Sequence, residues 1–318
     1  QTDRKVRSIS SFISKKIANK LKDLLKNNPD FYAEIWDSIS AFVKIGVMED
    51  EKFSELAQNS IIFETKLGLD SVKEKEIENK FLIKFNDKFY TTLENYANRN
   101  KSSDDNKILY CTDEISQSNA LNLWLSNNRE VIKADPLIDA QFIPWLESQN
   151  EKYKFQRVDS EINDDLEKDS PEIVDKDGKS NSENIKEIIS KALNNEKVTV
   201  KVQSLKNNNA PPALILLPEQ MRRINDMGAY MEQKIPGLPE YHVLLVNKDH
   251  PLINGLIKFT DKKIILNEKG SDESSLTGRI ANHIYAMAKL TVGGLDQKQI
   301  VDLQLNNAEL LTELLNSN

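Results

Sequence analysis

Along "RKVRSISSFISKKIANKLKDLLKNN" the apolar residues Val6, Ile9, Ile13, Ile17 and Leu24 recur at helical spacing, while Lys15, Lys16, Lys20 and Lys22 fill much of the remainder. That pattern predicts an amphipathic helix with a basic side. A solvated face explains the lysines, and a nucleic-acid or membrane-surface contact is the rival reading. More helix is predicted through "DFYAEIWDSISAFVKIG" and "EDEKFSELAQN", with Pro29 and Gly46 as punctuation, so the first hundred residues read as mainly helical.

At "KILYCTDE" the texture changes to a short apolar strand. Helix "SNALNLWLSNN", strand "EVIKA", segment "DPLIDAQFIPWLES" and strand "KFQRV" follow. Alternation of this kind implies parallel strands with helices packed on the sheet. Residues 159–187 then carry eleven acidic against four basic side chains together with Pro171 and Gly178, the composition of a linker. Beyond it come helix "SENIKEIISKALNN", strands "KVTVKVQSL" and "PALILL", a helix at 218–233, strand "YHVLLVN" and a short helix near "HPLINGLIKF". Two terminal helices, roughly 272–292 and 297–316, are separated by Gly293 and Gly294. The fold expected is mixed α/β and α+β. It has a domain over 1–165 (mainly helical to 100, α/β over 105–165), an acidic linker over 166–184 and a second domain over 185–318.

Composition narrows the chemistry. The chain has 318 residues, 43 basic against 50 acidic side chains, and a net charge of −7, which argues against nucleic acid as the main partner. Its single cysteine, Cys111, excludes an internal disulfide and thiolate-rich zinc sites, fits a reducing cytoplasm, and follows an apolar strand as a buried, inert thiol. The longest apolar stretch, "APPALILLP", is far short of the roughly 20 residues that cross a bilayer. The opening on Gln1, within a charged helical pattern, reads as part of something longer. Phosphate loops, paired-histidine metal helices and nucleophile elbows are missing, so no catalytic or metal residue is nominated. "DKDGKSNSE" at 175–183 resembles a calcium loop but has its glycine at the fourth place instead of the sixth. Of the three histidines, His283 lies on an apolar stripe, His250 precedes Pro251 at a turn, and His242 alternates within a strand; neither of the last two has a visible partner.

Two patterns remain. In "PEQMRRINDMGAYMEQ" the residues Met221, Ile224, Met227 and Met231 share one arc of a helix, about 120° wide at 100° per residue. A core stripe is the plain reading; methionine clusters also suit surfaces that must fit many shapes. In the last helix a heptad frame places Ile300, Asn307 and Leu314 at one position and Leu303 and Leu310 at the other. With the stripe of Leu276, Ile280, Ile284 and Met287 on the preceding helix, two copies have the parts of a four-helix bundle, and packing within one chain is the alternative.

"VRSISSFISKKIANKL", "FYTTLENY", "KILYCTDE", "DPLIDAQFIPWLE" and "KFQRVDSEI", followed by "APPALILLPEQMRRINDM", "LLVNKDHPLI" and "IYAMAKLTVGGL", occur in the order of landmarks in one family. The chain resembles the ninety-kilodalton heat-shock chaperones of the bacterial HtpG type, from the latter part of their middle domain through their C-terminal domain. The resemblance implies part of a cytoplasmic, dimeric, ATP-driven stress-response chaperone whose final helices pair. Its client surface includes the helix matching 218–233 and a middle-domain helix matching "IDAQFIPWLES", which nominates Phe142 and Trp145. ATP and magnesium belong to the whole protein, because the family's nucleotide pocket matches nothing in these residues, and no cofactor is expected here. The partners implied are a second copy and non-native proteins, not nucleic acid or membrane. The ending "LLNSN" lacks the acidic peptide that eukaryotic relatives offer to co-chaperones.

Overall fold

The structure is a computed structural model that describes residues 2–68, 82–100, 107–149, 152–160, 180–205, 210–218, 238, 241–265 and 275–316. It divides into two compact units, one of residues 1–112 and 124–157, the other of 113–123 and 158–318.

The first unit opens with three helices, α1 (Thr2–Asn27), α2 (Pro29–Glu49) and α3 (Glu51–Ala57). Pro29 occupies the first turn of α2, where its missing N–H costs nothing, and Tyr32, Ala33, Trp36, Val43 and Val47 form the buried face. Gly46 does not break the helix as the sequence suggests. It lies within α2, where an added Cβ would stand 3.1 Å from the Phe53 ring, so its role is to admit α3 against α2. Asp50 starts α3 by accepting the Phe53 N–H at 3.1 Å.

Three strands then appear inside the region expected to be mainly helical: β1 (Ile62–Lys66), β2 (Ile83–Phe85) and β3 (Lys88–Thr92), followed by helix α4 (Leu93–Arg99). Each is too short to show a period of its own, and pairing in the sheet stabilises them. β4 (Lys107–Cys111), α5 (Ser118–Ser126, whose residues up to Leu123 belong to the second unit), β5 (Val131–Lys133), α6 (Asp139–Gln149) and β6 (Lys154–Arg157) alternate as expected. The six-stranded sheet runs β2-β3-β1-β5-β4-β6. Strands β4, β5 and β6 are parallel, with Tyr110 opposite Ile132 and Ile108 opposite Phe155. β1 turns the sheet antiparallel by pairing β5 at Thr65 and Ile132 and β3 at Phe63 and Thr91, so the parallel expectation covers half of a mixed sheet.

A buried ionic knot ties β1, α4 and the start of β5 together. The Glu130 carboxylate accepts from Arg99 Nη2 at 2.7 Å, Thr65 Oγ1 at 2.9 Å and Asn100 Nδ2 at 2.9 Å. Tyr96 donates to the Glu130 carbonyl at 2.9 Å and accepts the Leu109 N–H at 3.0 Å. Every polar group named has a partner, which is what permits charge in a core. Cys111 is buried, as expected.

The second unit contains α7 (Asn181–Leu193), a sheet of β7 (Val198–Gln203), β9 (His242–Asn247) and β8 (Ala213–Leu216) in that order, α8 (Pro251–Ile265), α9 (Leu276–Thr291) and α10 (Gln297–Asn316). β7 pairs β9 in parallel and β8 pairs it antiparallel. Helix α7 starts inside the segment assigned to the linker. Ser180 and Glu183 form a reciprocal cap, Ser180 Oγ accepting the Glu183 N–H and Glu183 accepting the Ser180 N–H, which fixes the helix start one residue before the Ser182 that the sequence pattern predicts. Ile185, Ile189, Val200, Ile215, Leu244, Val246, Ile253, Ala281, Ile284 and Ala288 build its core.

Candidate interaction surfaces

Helix α6 begins at the carboxyl ends of β4 and β5. Asp135 caps it through Oδ1, which accepts the N–H groups of Leu137 at 2.8 Å and Ile138 at 2.9 Å. Asp139, in its first turn, is buried with Lys44 of α2, whose Nζ lies 2.7 Å from one carboxylate oxygen and 2.8 Å from the other. The same ammonium stands 4.6 Å from the Phe63 ring centre and 5.8 Å from that of Phe142, a second favourable environment for a buried cation. Burial raises the proton affinity of Asp139, and the neighbouring Lys44 opposes that. The pair forms one wall of a cleft of about 290 Å³ whose lining includes Trp36, Glu64, Lys88, Tyr90 and Thr112. Lys88 lies 3.0 Å from Glu64 and 3.7 Å from Asp37, and the Glu64 hydrogen bond holds its ammonium above the usual lysine range.

The two residues nominated on this helix part company. Phe142 is 0% exposed and belongs to the core, so the sequence expectation that it contacts clients is corrected. Trp145 is half-buried and stacks on Phe142 with ring centres 5.7 Å apart. Pro144, inside the helix and exposed, has no N–H to donate, and the helix continues to Gln149 around it.

In the second unit, Met221, Ile224, Met227 and Met231 lie outside the described residues. The chain is described up to Pro218, just past β8, and again at Leu238, whose Cβ would stand 2.8 Å from a Cβ added to Gly294.

On helix α9, Ala281, Ile284 and Ala288 point into the unit's own core. Ile284 is 2% exposed, so its expected place at a surface between copies is corrected. Ile280 is half-buried and packs against that same core, while Leu276 is half-buried and Met287 is 43% exposed at its edge. On α10 the heptad residues Leu303 and Leu310 are half-buried, Ile300 and Asn307 are exposed, and the Leu314 side chain lies outside the described residues. The most open apolar side chains lie beside that frame: Val301, Leu305, Leu311 and Leu315, with Leu305 60% and Leu315 76% exposed. Helical wheels place these four with Ile300 within an arc of about 140°.

The histidines also resolve. His242, expected to lack a partner, is buried with its Nε2 2.8 Å from the Tyr285 hydroxyl and its ring stacked on Tyr285 at 5.8 Å. Burial pushes the Tyr285 hydroxyl up to about 12. Sequence reasoning missed this pair because 43 residues separate its members. His250 accepts the Leu252 N–H through Nδ1 at 3.1 Å at the start of α8, as its place before Pro251 suggested. His283 is half-buried on α9, and burial lowers its proton affinity. No described helix is long and apolar enough to cross a membrane.

The described residues thus form two mixed α/β units, the second of which carries exposed apolar residues along α10. Comparison with known proteins places them. The family model described as Hsp90 protein matches residues 1–307, and the chain belongs to that family. It is similar to the chaperone protein HtpG of Porphyromonas gingivalis, 31% identical over 288 residues that make up 87% of this chain and 38% of that protein. It is also similar to the chaperone protein htpG of Bacteroides fragilis, 30% identical over 276 residues, or 83% of this chain and 37% of that protein. A more distant relative is the chaperone protein HtpG of Rhodococcus jostii, 23% identical over 305 residues, 92% of this chain and 42% of that protein. The chain thus spans about two fifths of the length of the curated relatives it matches.

Proposed function

We propose that this chain is the polypeptide-holding and self-pairing part of a cytoplasmic HtpG-type chaperone. In this reading two copies pair through α9 and α10 and present the methionine segment and Trp145 to non-native proteins. The whole protein works with ATP and magnesium, while these residues carry out no hydrolysis themselves. The partners are proteins, with neither nucleic acid nor membrane among them. Membership of the Hsp90 family supports the chaperone role. The single observation that carries the pairing is the row of exposed apolar residues along α10, because a solvated apolar stripe of this length is stabilised when a second surface covers it.

The surface proposed here modifies the one the sequence suggests at buried positions and at the exposed row of α10. Phe142 and Ile284 support their units from inside, so in this reading Trp145 is the client contact among the described residues; Leu276, Ile280, Met287, Ile300, Leu303, Asn307, Leu310 and Leu314 keep the pairing role, and the exposed Val301, Leu305, Leu311 and Leu315 join them. Met221, Ile224, Met227 and Met231 keep the client role because a flexible thioether row fits many apolar shapes.

Replacing those four by serine is expected to weaken capture of an aggregating model protein and to leave sedimentation unchanged. Capture at the wild-type level would remove the methionine segment from the client surface. A chain that sediments as a monomer at all concentrations would remove the pairing.

A further inference from the structure

Helix α10 leaves α9 through Gly293 and Gly294. Gly293 has φ +68°, which L side chains rarely adopt, and Leu238 leaves Gly294 no room for a Cβ. Such a turn fixes where α10 starts but not where it ends. A change of about 10° at the turn carries the far end of a helix about 30 Å long through about 5 Å. The far end has its own fastening. Arg279, in the first turn of α9, places Nη1 2.6 Å from Glu313 Oε1 and Nη2 3.4 Å from Glu309 Oε2. The two carboxylates are one helical turn apart, so a single guanidinium grips both.

The direction of that grip matters. With Ile300 at zero and about 100° per residue, Glu309 and Glu313 fall near 180° and 220°, while Leu311, Leu315, Val301 and Leu305 fall between about 20° and 140°. The clamp therefore holds the flank of α10 next to its exposed apolar row and leaves the row itself uncovered. We infer that Arg279 is a positioning residue for self-pairing: it sets the angle between α9 and α10 at which their outer apolar residues meet a second copy. The inference rests on the pairing proposed above. Both carboxylates are at least half exposed, so the clamp adds little to folding, and its effect is on the geometry of the pair.

The test is equilibrium sedimentation of the 318-residue chain, with thermal unfolding alongside. Arg279→Glu and the double change Glu309→Arg, Glu313→Arg are each expected to raise the dimer dissociation constant about tenfold, and their combination to restore it to within about twofold. Arg279→Lys, which keeps the charge but loses the fork, is expected to fall between. Glu34→Arg, an exposed change in the first unit, controls for net charge and is expected to have no effect. Unfolding temperatures that stay unchanged at concentrations where every variant is monomeric, together with these shifts, support positioning. Reversals without effect on a dimeric chain, or a combination that recovers nothing, overturn this inference alone, whereas a monomeric wild-type chain overturns the pairing and this inference together.

Discussion

Helices α6 and α10 both carry apolar patterns that suggest a binding surface, and the structure treats them in opposite ways. α6 turns Phe142, Ile143 and Leu146 into the first unit's core and leaves Trp145 half-covered. α10 packs against α9 alone among the described helices and strands with appreciable contact, and leaves Val301, Leu305, Leu311 and Leu315 in water. The difference is one of neighbours. α6 is a crossover helix between two parallel strands and must cover the sheet, whereas in the second unit α9 packs on β8 and α10 rests on α9. An apolar stripe states that a face is to be dry, and the topology states who dries it.

Four measurements can break or sharpen that contrast. Phe142→Ala is expected to cost about 3–5 kcal/mol in the unfolding of the first unit, because it opens a cavity in a closed core. Chemical denaturation reads this, and a loss under about 1 kcal/mol would put Phe142 back on the surface. Lys44→Met strands Asp139 and is expected to cost a similar 3–5 kcal/mol, most of it recovered when Asp139→Leu is added. If the double variant is no more stable than the single one, the α2–α6 contact depends on more than this ion pair.

On α10 the expectation reverses. Leu305→Ser together with Leu315→Ser should change unfolding of the isolated chain by no more than about 0.5 kcal/mol while raising the dimer dissociation constant at least about tenfold. A large loss of monomer stability would mean that the row is packed in its own chain. The smallest effect concerns acid. Burial lowers the proton affinity of His283, so the unfolded state binds more protons, and the stability this group contributes is complete above the unfolded value near 6.5 and falls as pH drops through it. His283→Gln is expected to flatten that part of the pH dependence between about pH 7 and 5. His250 is shifted in the same direction, and an unaltered acid limb in His283→Gln would remove His283 from it.

Legibility followed the range of the interactions. The long helices, the β4-α5-β5-α6-β6 alternation and the two terminal helices were readable because their signals repeat within a few residues. β1, β2 and β3 were not, since strands of three to five residues carry little periodicity and are held by partners elsewhere in the chain. The start of α7 was readable to within one residue, and the cap that fixes it is a serine at 180 followed three residues later by glutamate. For the candidate surfaces, periodicity found α9 but could not separate Ile284 from Met287, which lie about 60° apart by helical geometry and on opposite sides of the line between core and solvent.

The sequence by itself determined which segments form helices, which faces are apolar, and the ordered landmarks that place the chain among the Hsp90 proteins. Those depend on local geometry and on residue identity, both of which are written in the order of the chain. Only the tertiary structure decided that Lys44 meets Asp139 across 95 residues, that His242 meets Tyr285, that Phe142 is closed in, and that the row on α10 stays open. Burial is a property of what packs against a residue, and that is settled by the way the sheet and its crossovers bring distant segments together.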